Sequence, residues 1–337
     1  MALMDFETLS LYQPRAGTVL KNGFAMNRLS HAYIFEGPRG TKKLETAFFF
    51  AKRLLCQHPT ETGDPCNACT HCKRIMHASH PNVFLIEADG EVIKVDQIRR
   101  IVQEFAKASL EDVPRVYIVN DAHKLNPEAG NTLLKTLEEP GADIYAVLVT
   151  DSFNALLKTI ASRSQVIHFT ALDKDVVRAD LVKSGVDPTL AMVIPEYTNN
   201  FDEACRIGAS ETMSAAFRLV LELFEMAGKP KKSMVLAFRE KRDELLPDKD
   251  AKDFFLTIMI LYQKDLLNAK LRRLDQIVYR TEAEKLQRLA ETVTQKTIQN
   301  GLERMLSLKS RLRFNINSWL AFDSLLANLE RGFLNAI

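Results

Sequence analysis

The chain contains no uninterrupted run of about 18 apolar residues, and this absence excludes a transmembrane helix. It also has no large excess of either charge, because 26% of its 337 residues are charged but the formal net charge is only +2. The whole molecule is therefore not an electrostatic binder of DNA. Residues 1–13 contain two acids and no basic cluster, so we expect no secretory signal. The length predicts about two or three domains.

A stretch at 37–44, GPRGTKKL, has the frame of a phosphate-binding loop but lacks two of its functional residues. In G-x-x-x-x-G-K-[S/T], backbone amides surround the phosphates, the lysine reaches the β/γ-phosphates and the hydroxyl binds Mg²⁺. Gly37, Gly40 and Lys43 are present, but Lys42 replaces the second glycine and Leu44 replaces the hydroxyl residue. A long side chain crowds the anion, and leucine offers no oxygen to a hard cation. We therefore expect no tight binding of Mg-ATP.

The sequence around this stretch has the order that a phosphate-binding loop needs. Ala32–Phe35 is predicted to be a short buried strand, and Leu44–Leu55 has helical spacing without proline or glycine. The alternative interpretation of the octapeptide alone is an ordinary Gly/Pro turn between a strand and a helix.

Two further apolar runs predict additional strands of the same sheet. Val116–Val119 ends in Asn120 and Asp121, at the place where an ATPase of this architecture has two acids for Mg²⁺ and the attacking water. Only the second acid remains, as the shorter Asp121. Tyr145–Thr150 ends in a polar residue where such folds place a phosphate sensor. Strands that alternate with helical segments predict a parallel α/β sheet.

Four of the five cysteines form a C-x9-C-x2-C-x2-C pattern, typical of a closed structural zinc site. The candidate ligands are Cys56, Cys66, Cys69 and Cys72. A turn at 63–65 can bring the first thiolate back towards the other three. Two alternatives remain: a pair of disulfides, which a chain without a signal peptide does not favour, and a histidine in place of one thiolate. The histidines concerned are His58, His71, His77 and His80.

The chain resembles the delta-prime family of the bacterial DNA polymerase III clamp loader, which belongs to the AAA+ proteins. The resemblance runs from about residue 10 to the C-terminus. The segments that carry it are RLSHAY at 28–33, the cysteine cluster, HPN at 80–82, LIE at 85–87, VDQIR at 95–99, NTLLKTLEEP at 131–140, IASRSQ at 160–165 and LRFNIN at 312–317.

This resemblance implies an α/β AAA+ P-loop module at 1–170, with a parallel sheet flanked by helices and a four-cysteine zinc insertion at about 56–80. A helical lid would follow at 171–228 and an all-α collar domain at 229–337. It further implies a subunit without intrinsic ATPase activity, in a five-membered ring with gamma/tau-like ATPases and a delta-like subunit. Such a ring places the sliding clamp on primed DNA. The expected location is the cytoplasm, at the replisome on the nucleoid, with no membrane contact.

Within the resemblance, Ser162-Arg163-Ser164 corresponds to the family's Ser-Arg-Cys motif. Arg163 would then be an arginine finger for the ATP of an adjacent subunit, a role suited to a planar and permanently charged guanidinium. The alternative is an arginine that binds carbonyls at a strand–loop junction. In the lid, the stretch 208–213 has no arginine at the position of the family's sensor arginine, and Arg218 lies too far along the chain to take its place.

Three functional classes are compatible with these patterns. The first is a noncatalytic clamp-loader subunit, favoured by the altered P-loop, the cysteine cluster and Arg163. The second is a gamma/tau-like motor subunit, for which Lys43 and Asp121 are the best evidence. The third is a zinc-stabilised nucleic-acid-binding protein, which the low net charge and the absence of interleaved aromatic and basic residues do not favour.

Overall fold

The computed structural model describes residues 4–106, 113–139, 141, 143–229, 232–312, 314 and 316–335. The chain divides into two compact units, Met1–Val176 and Val177–Ile337. Some residues of the segments that carry the family resemblance, namely 140, 313 and 315, lie outside the described residues.

The first unit is built on a five-stranded sheet in which all neighbouring strands are parallel. The strands are β1 Ala32–Glu36, β2 Val83–Ile86, β3 Arg115–Val119, β4 Ile144–Thr150 and β5 Gln165–His168. Their spatial order is 2-3-4-1-5. Strand β1 lies between β4 and β5, with Ile34 opposite Leu148 on one side and Val166 on the other. The strands predicted from the apolar runs and the parallel α/β fold class are therefore confirmed.

Both faces of the sheet are buried, as expected of parallel strands connected by helices. Tyr33 and Phe35 of β1 point into one apolar core, whereas Ala32 and Ile34 point into the other. This is why the strands read as continuous apolar runs rather than as an alternating pattern.

The helices of the first unit flank this sheet. They are α1 Phe6–Tyr12, α2 Pro14–Ala25, α3 Lys43–Leu55, α4 Thr70–Met76, α5 Val95–Ala106, α6 Pro127–Glu138 and α7 Lys158–Ala161, with short 3₁₀ turns at Ala122–Lys124 and Phe153–Ala155. Asn126 illustrates how these helices begin. Its side chain accepts a hydrogen bond from the amide of Ala129, and the next residue, at the first helical position, is proline.

The second unit is helical throughout its described residues. After α8 Lys174–Lys183, in which the boundary falls, come α9 Pro188–Tyr197, α10 Phe201–Ala209, α11 Glu211–Met226, α12 Met234–Leu245, α13 Lys249–Lys270, α14 Ala283–Thr292, α15 Gln295–Arg311 and α16 Ser318–Leu334, with 3₁₀ turns at Leu274–Gln276 and Arg280–Glu282. Residues 230 and 231, between α11 and α12, lie outside the described part.

Helix α13 forms the centre of this unit. Phe254, Phe255 and Met259 of this helix are fully buried. The ring of Tyr262 stacks on Phe224 of α11 at a centroid distance of 4.3 Å. Asp265 accepts the backbone amides of residues 278 and 279, and burial raises its pKa to about 6.

Gly37 follows β1 at a place where a side chain does not fit. Its φ is +150°, and a Cβ would lie 2.1 Å from the carbonyl oxygen of Phe169 beyond β5. Its amide donates to Thr150 O at 3.2 Å. The residue is therefore held between the ends of β4 and β5.

We predict that Gly37→Ala destabilises the first unit by about 2–4 kcal/mol, since the new methyl group must displace backbone as well as adopt an unfavourable φ. Gly90→Ala is the matched control, because Gly90 also has a positive φ of +77° but no atom within 4 Å of the added Cβ. It should cost only about 1–2 kcal/mol. Urea unfolding, together with hydrogen exchange of the β1 and β5 amides, measures both. Equal losses in the two variants would contradict the steric explanation.

Candidate functional site

In the loop between β1 and α3, a lysine takes the position predicted for the second glycine of a phosphate-binding loop. Gly40 has φ +69°, and Lys42, immediately before α3, has φ +67° and ψ +23°. This left-handed conformation is free of strain for glycine and costs about 1–2 kcal/mol for other residues. The side chain of Lys42 forms an ion pair with Glu45 at 3.1 Å.

Lys43, the residue expected to reach the phosphates, is buried within its own loop. Its Nζ donates to the carbonyl oxygen of Gly37 at 2.7 Å, to that of Pro38, and to Thr41 Oγ1 at 3.3 Å. Burial lowers the pKa of its ammonium group, while the carboxylates of Asp151 and Asp121 oppose this effect. The three donor hydrogens of the ammonium group thus have oxygen acceptors inside the loop.

The next residues of α3 provide no free hydroxyl for a cation. Leu44 packs against the apolar core formed by the β1, β4 and β5 side chains. Two residues later, Thr46 Oγ1 donates to Lys42 O at 2.7 Å and is fully buried. The first hydroxyl after Leu44 is therefore bound to the backbone of the same helix.

Asn120 and Asp121 follow β3, at the same edge of the sheet. Asn120 Nδ2 donates to Glu87 Oε1 at 3.0 Å. Asp121 adopts a left-handed backbone conformation, with φ +52°, and its carboxylate pairs with Lys124 at 2.8 Å. At the two positions where the sequence analogy with an ATPase predicts acids, this chain thus has an amide side chain and a carboxylate that is paired with a lysine.

An ion-pair network that the sequence did not reveal extends from the loop to the end of β4. Arg39 Nε lies 2.7 Å from Asp151 Oδ2, and His123 Nδ1 lies 3.2 Å from Asp151 Oδ1. Thr150 Oγ1, at the predicted sensor position, is 3.3 Å from His123 Nδ1. Although burial opposes it, Arg39 and His123 hold the pKa of Asp151 below its usual range. Asp151 follows a predicted strand directly, which is the one signal that could have identified it.

Gln13 also supports the loop, although no sequence motif marks this residue. Its Nε2 donates to Thr41 O at 3.1 Å and to Thr170 O at 2.7 Å, while its Oε1 accepts the amide of Thr170 at 3.0 Å. Gln13 is 2% exposed. A single amide therefore links the loop to the chain that leaves β5.

The four predicted metal ligands lie together. Their sulfur atoms are all within 4.8 Å of one another, and Cys66 Sγ is 4.0 Å from Cys72 Sγ. A tetrahedral Zn–S distance of about 2.3 Å places sulfur atoms about 3.8 Å apart, so the donor set fits zinc. Cys56 follows the last residue of α3, Cys69 caps the N-terminus of α4, and Cys72 lies in its first turn. All five cysteines of the chain are free thiols, so disulfides do not explain the cluster.

Backbone amides and burial act differently on the four thiols. The amides of Ala68 and Cys69 lower the pKa of Cys66 to about 6. Burial raises the pKa of Cys56 and of Cys72. Amides also point at sulfur elsewhere in the cluster, since Cys66 N lies 3.2 Å from Cys56 Sγ and Cys72 N lies 3.5 Å from Cys69 Sγ. A bound cation would favour the thiolate form of all four groups.

The histidines of this region do not belong to the group of candidate ligands. His58 and His77 are exposed. His71 Nδ1 and His80 Nε2 lie 2.8 Å apart in the protein interior, and His80 Nδ1 accepts the amide of Asn82 at 3.0 Å. This chain of hydrogen bonds fixes the start of β2 to α4.

Arg163 lies between α7 and β5, with its side chain 37% exposed. Its Nη2 is 2.8 Å from Glu138 Oε1, and its Nη1 donates to Thr159 O at 3.1 Å. The preceding Ile160 is fully buried and anchors the turn. The guanidinium thus binds a backbone carbonyl, as expected if Arg163 has a structural role at the strand–loop junction. It is also partly exposed to solvent.

In the second unit, Ser210 begins α11, where its hydroxyl accepts the amide of Met213 at 3.3 Å. The first turn of this helix has no arginine. Across the part of the chain that the structure describes, every helix is too short or too polar to span a membrane.

Comparison with known proteins identifies similar chains. A sequence profile described as "DNA polymerase III, delta subunit" matches residues 12–173. The chain is 32% identical over 330 residues to subunit delta' of DNA polymerase III from Bacillus subtilis (strain 168), covering 98% of this chain and 99% of that protein. It is 37% identical over 158 residues to subunit tau from the same organism, covering 47% of this chain and 28% of that protein. A gamma subunit-related protein from Thermotoga maritima has a TM-score of 0.41 at 19% identity, covering 93% of this chain and 99% of that one.

Proposed function

Because this chain belongs to the family of bacterial DNA polymerase III delta-prime subunits, we propose that it is a noncatalytic subunit of the clamp loader. It helps to place the sliding clamp on primed DNA and supplies Arg163 to the ATP site of a neighbouring subunit. The proposed domains are the AAA+ module at 1–170, the lid at 171–228 and the collar at 229–337.

The observation that carries the noncatalytic role is the position of Lys43. Its ammonium group is bonded to two carbonyl oxygens and one hydroxyl of the loop, so binding of a phosphate would require these bonds to break. Leu44 and Asn120 also disfavour binding of Mg-ATP. Leu44 replaces a hydroxyl that would bind Mg²⁺, and Asn120 replaces an acid.

The finger role rests on the position and chemistry of Arg163. The side chain is partly exposed at a strand–loop junction and has no part in the network around Arg39 and Asp151. A guanidinium there can bind two phosphate oxygens of a nucleotide held by another chain. The proposed partners are gamma/tau-like ATPases and a delta-like subunit in a five-membered ring. The proposed location is the cytoplasm, at the replisome.

The cysteine cluster would hold one structural Zn²⁺ through Cys56, Cys66, Cys69 and Cys72. Four thiolates fill a tetrahedral shell and leave no position for a water nucleophile, so the ion would supply folding stability rather than chemistry. It would fix the end of α3 to the start of α4.

A gamma/tau-like motor subunit is the second candidate. Lys43 and Asp121 favour it, as both residue types serve in active sites of this architecture. The same two residues are engaged in internal contacts here, with the loop carbonyls and with Lys124, which is why we prefer the noncatalytic role.

We predict that the isolated protein shows no Mg-ATP binding at micromolar concentrations and no turnover. Titration calorimetry and a phosphate-release assay measure this. The double variant K42G/L44T restores the glycine and the hydroxyl, and it should bind Mg-ATP more tightly than the unmodified chain. Micromolar binding or steady hydrolysis by the unmodified protein would identify it as a motor subunit instead.

For Arg163→Ala and Arg163→Lys, we expect normal folding and assembly but slower ATP hydrolysis and clamp loading by the reconstituted complex. An arginine finger accelerates ATP hydrolysis roughly 10³-fold or more at the site that receives it. The total ATPase rate of the ring should fall only by the part that this one site contributes. Lysine keeps the charge but not the planar pair of donors, so it should not rescue the rate.

The matched control for this experiment is Arg99→Ala, because Arg99 is another exposed arginine of the same unit. This variant should load clamps at the normal rate. Normal loading by both Arg163 variants would assign Arg163 a purely structural role.

We predict one zinc ion per chain, with an affinity that falls as the pH falls. The raised pKa values of Cys56 and Cys72 mean that both thiols carry protons in the metal-free protein at neutral pH, and zinc binding must release them. Release of at least these two protons lowers the affinity by about a hundredfold or more for each unit by which the pH falls. Competition with a chromophoric chelator between pH 7 and 8, after elemental analysis, measures the slope.

Two cysteine variants serve as controls for the zinc prediction. Cys69→Ser should lower the zinc content, whereas Cys205→Ser, which changes the one cysteine outside the cluster, should not. A folded, metal-free protein with four titratable thiols in the cluster would refute the zinc site.

A further inference from the structure

A buried pair of histidines joins the cysteine-rich segment to the sheet. His71 lies in the first turn of α4, directly before the candidate ligand Cys72, and His80 lies three residues before β2 begins. The two side chains belong to residues that are 6% and 5% exposed, and His71 Nδ1 is 2.8 Å from His80 Nε2. This contact therefore connects a helix that is capped by Cys69 and contains Cys72 to the start of a strand.

The direction of the hydrogen bond between the two rings follows from the next contact along the chain. His80 Nδ1 accepts the backbone amide of Asn82 at 3.0 Å. An imidazole nitrogen that accepts a hydrogen bond carries no hydrogen, so the ring hydrogen of His80 lies on Nε2. His80 is thus the donor and His71 the acceptor. Rotation of the His80 ring by half a turn would lose both contacts.

The start of β2 depends on few other contacts. This strand has four residues and lies at one edge of the sheet, so among the described strands it pairs with β3 alone. Val116 N donates to Asn82 O at 2.8 Å, and Asn82 Nδ2 donates to Val113 O at 3.0 Å. Asn82 is 3% exposed. It links the histidine pair to the first hydrogen bonds at this edge of the sheet, where local opening is easiest.

The other end of this connection depends on the cysteine cluster. Residues 56–69 form no helix or strand, and α4 has only seven residues, fewer than a helix needs to be stable on its own. Tertiary contacts therefore set the position of α4. They include Ile75 in the apolar core and the grouped thiols of Cys69 and Cys72. A metal ion held by these thiolates would restrict α4 further.

We infer that the His71–His80 hydrogen bond couples metal binding at the cysteine cluster to the stability of the start of β2. Loss of the ion loosens α4, His80 then loses its acceptor, and the first residues of the edge strand open more often. Such a coupling is reciprocal, so the same bond strengthens metal binding by the factor by which the metal protects the strand. The inference rests on the proposed zinc site and adds two residues outside the ligand set.

The test compares amide hydrogen exchange of the full-length chain with and without bound zinc. The reporting amides are those of Asn82, Val83 and Val116, whose acceptors all belong to His80 or Asn82. In the unmodified protein, removal of zinc by a chelator should lower their protection about three- to tenfold, the range expected for the loss of one hydrogen bond. The amides of β1 and β4, in the interior of the sheet, should keep their protection.

Two variants remove the acceptor of the histidine pair. His71→Phe keeps an aromatic ring of similar size, and His71→Leu keeps only an apolar side chain. With zinc bound, the three reporting amides of either variant should already exchange about three- to tenfold faster than those of the unmodified protein, and removal of zinc should change them little. The zinc affinity, measured by competition with a chelator, should fall by the same factor.

Two further variants serve as controls. His71→Asn should preserve the coupling, because the amide oxygen of asparagine can replace Nδ1 as the acceptor. His77→Gln is the matched control, since His77 is exposed at the end of the same helix, and it should behave as the unmodified protein does. Circular dichroism of each zinc-saturated variant verifies that the chain is folded before exchange is measured.

Three results would overturn the inference while leaving the zinc site intact. The first is unchanged exchange at the start of β2 when zinc is removed from the unmodified protein. The second is an equal effect of zinc in the unmodified protein and in the variants without the acceptor. The third is an equal loss of protection in β1 and β4, which would mean that zinc stabilises the unit as a whole. If the unmodified chain binds no zinc, the proposed metal site fails and the inference fails with it, whereas the noncatalytic role is tested separately by Mg-ATP binding.

Discussion

Strand β1 is hydrogen-bonded to β4 on one side and to β5 on the other, and every candidate site of the first unit depends on this central position. Because the strands are parallel, their carboxyl ends meet at one edge of the sheet. The loop after β1, the Asn120–Asp121 pair after β3 and the Thr150–Asp151 pair after β4 are thereby brought together. Helix α3 then carries the chain from this edge to the cysteine cluster.

The edge of the sheet where the sequence predicted a degenerate nucleotide site is occupied by contacts within the chain. The Lys43 ammonium group binds loop carbonyls, Arg39 pairs with Asp151, and Asn120 pairs with Glu87. Arg39 is 71% exposed, so its ion pair with Asp151 contributes little stability, whereas the buried Lys43 contacts contribute more. A loop whose polar groups are already satisfied has less need of a ligand, which supports the proposed noncatalytic role.

Much of the fold could be predicted from the sequence. Apolar runs marked β1, β3 and β4 to within one residue, and uninterrupted helical spacing identified α3. The cysteine spacing was enough to select the four residues that the structure groups. Gln13 and Asp151 could not be selected in this way, because each is an ordinary residue type without a motif around it. Their importance comes from distant partners: Gln13 bonds to a residue 157 positions away and Arg39 to one 112 positions away.

From periodicity, residue type and short spacing one could predict the strand–loop–helix frame, the two altered loop positions and the cysteine set, because these are local properties of a sequence. The packing of the sheet set the partners of other polar groups. Whether Arg39 pairs with Asp151, and whether Gln13 bonds to Thr170, depends on the order of the strands. These groups are neighbours in space but far apart in the chain, so short sequence spacing cannot reveal them.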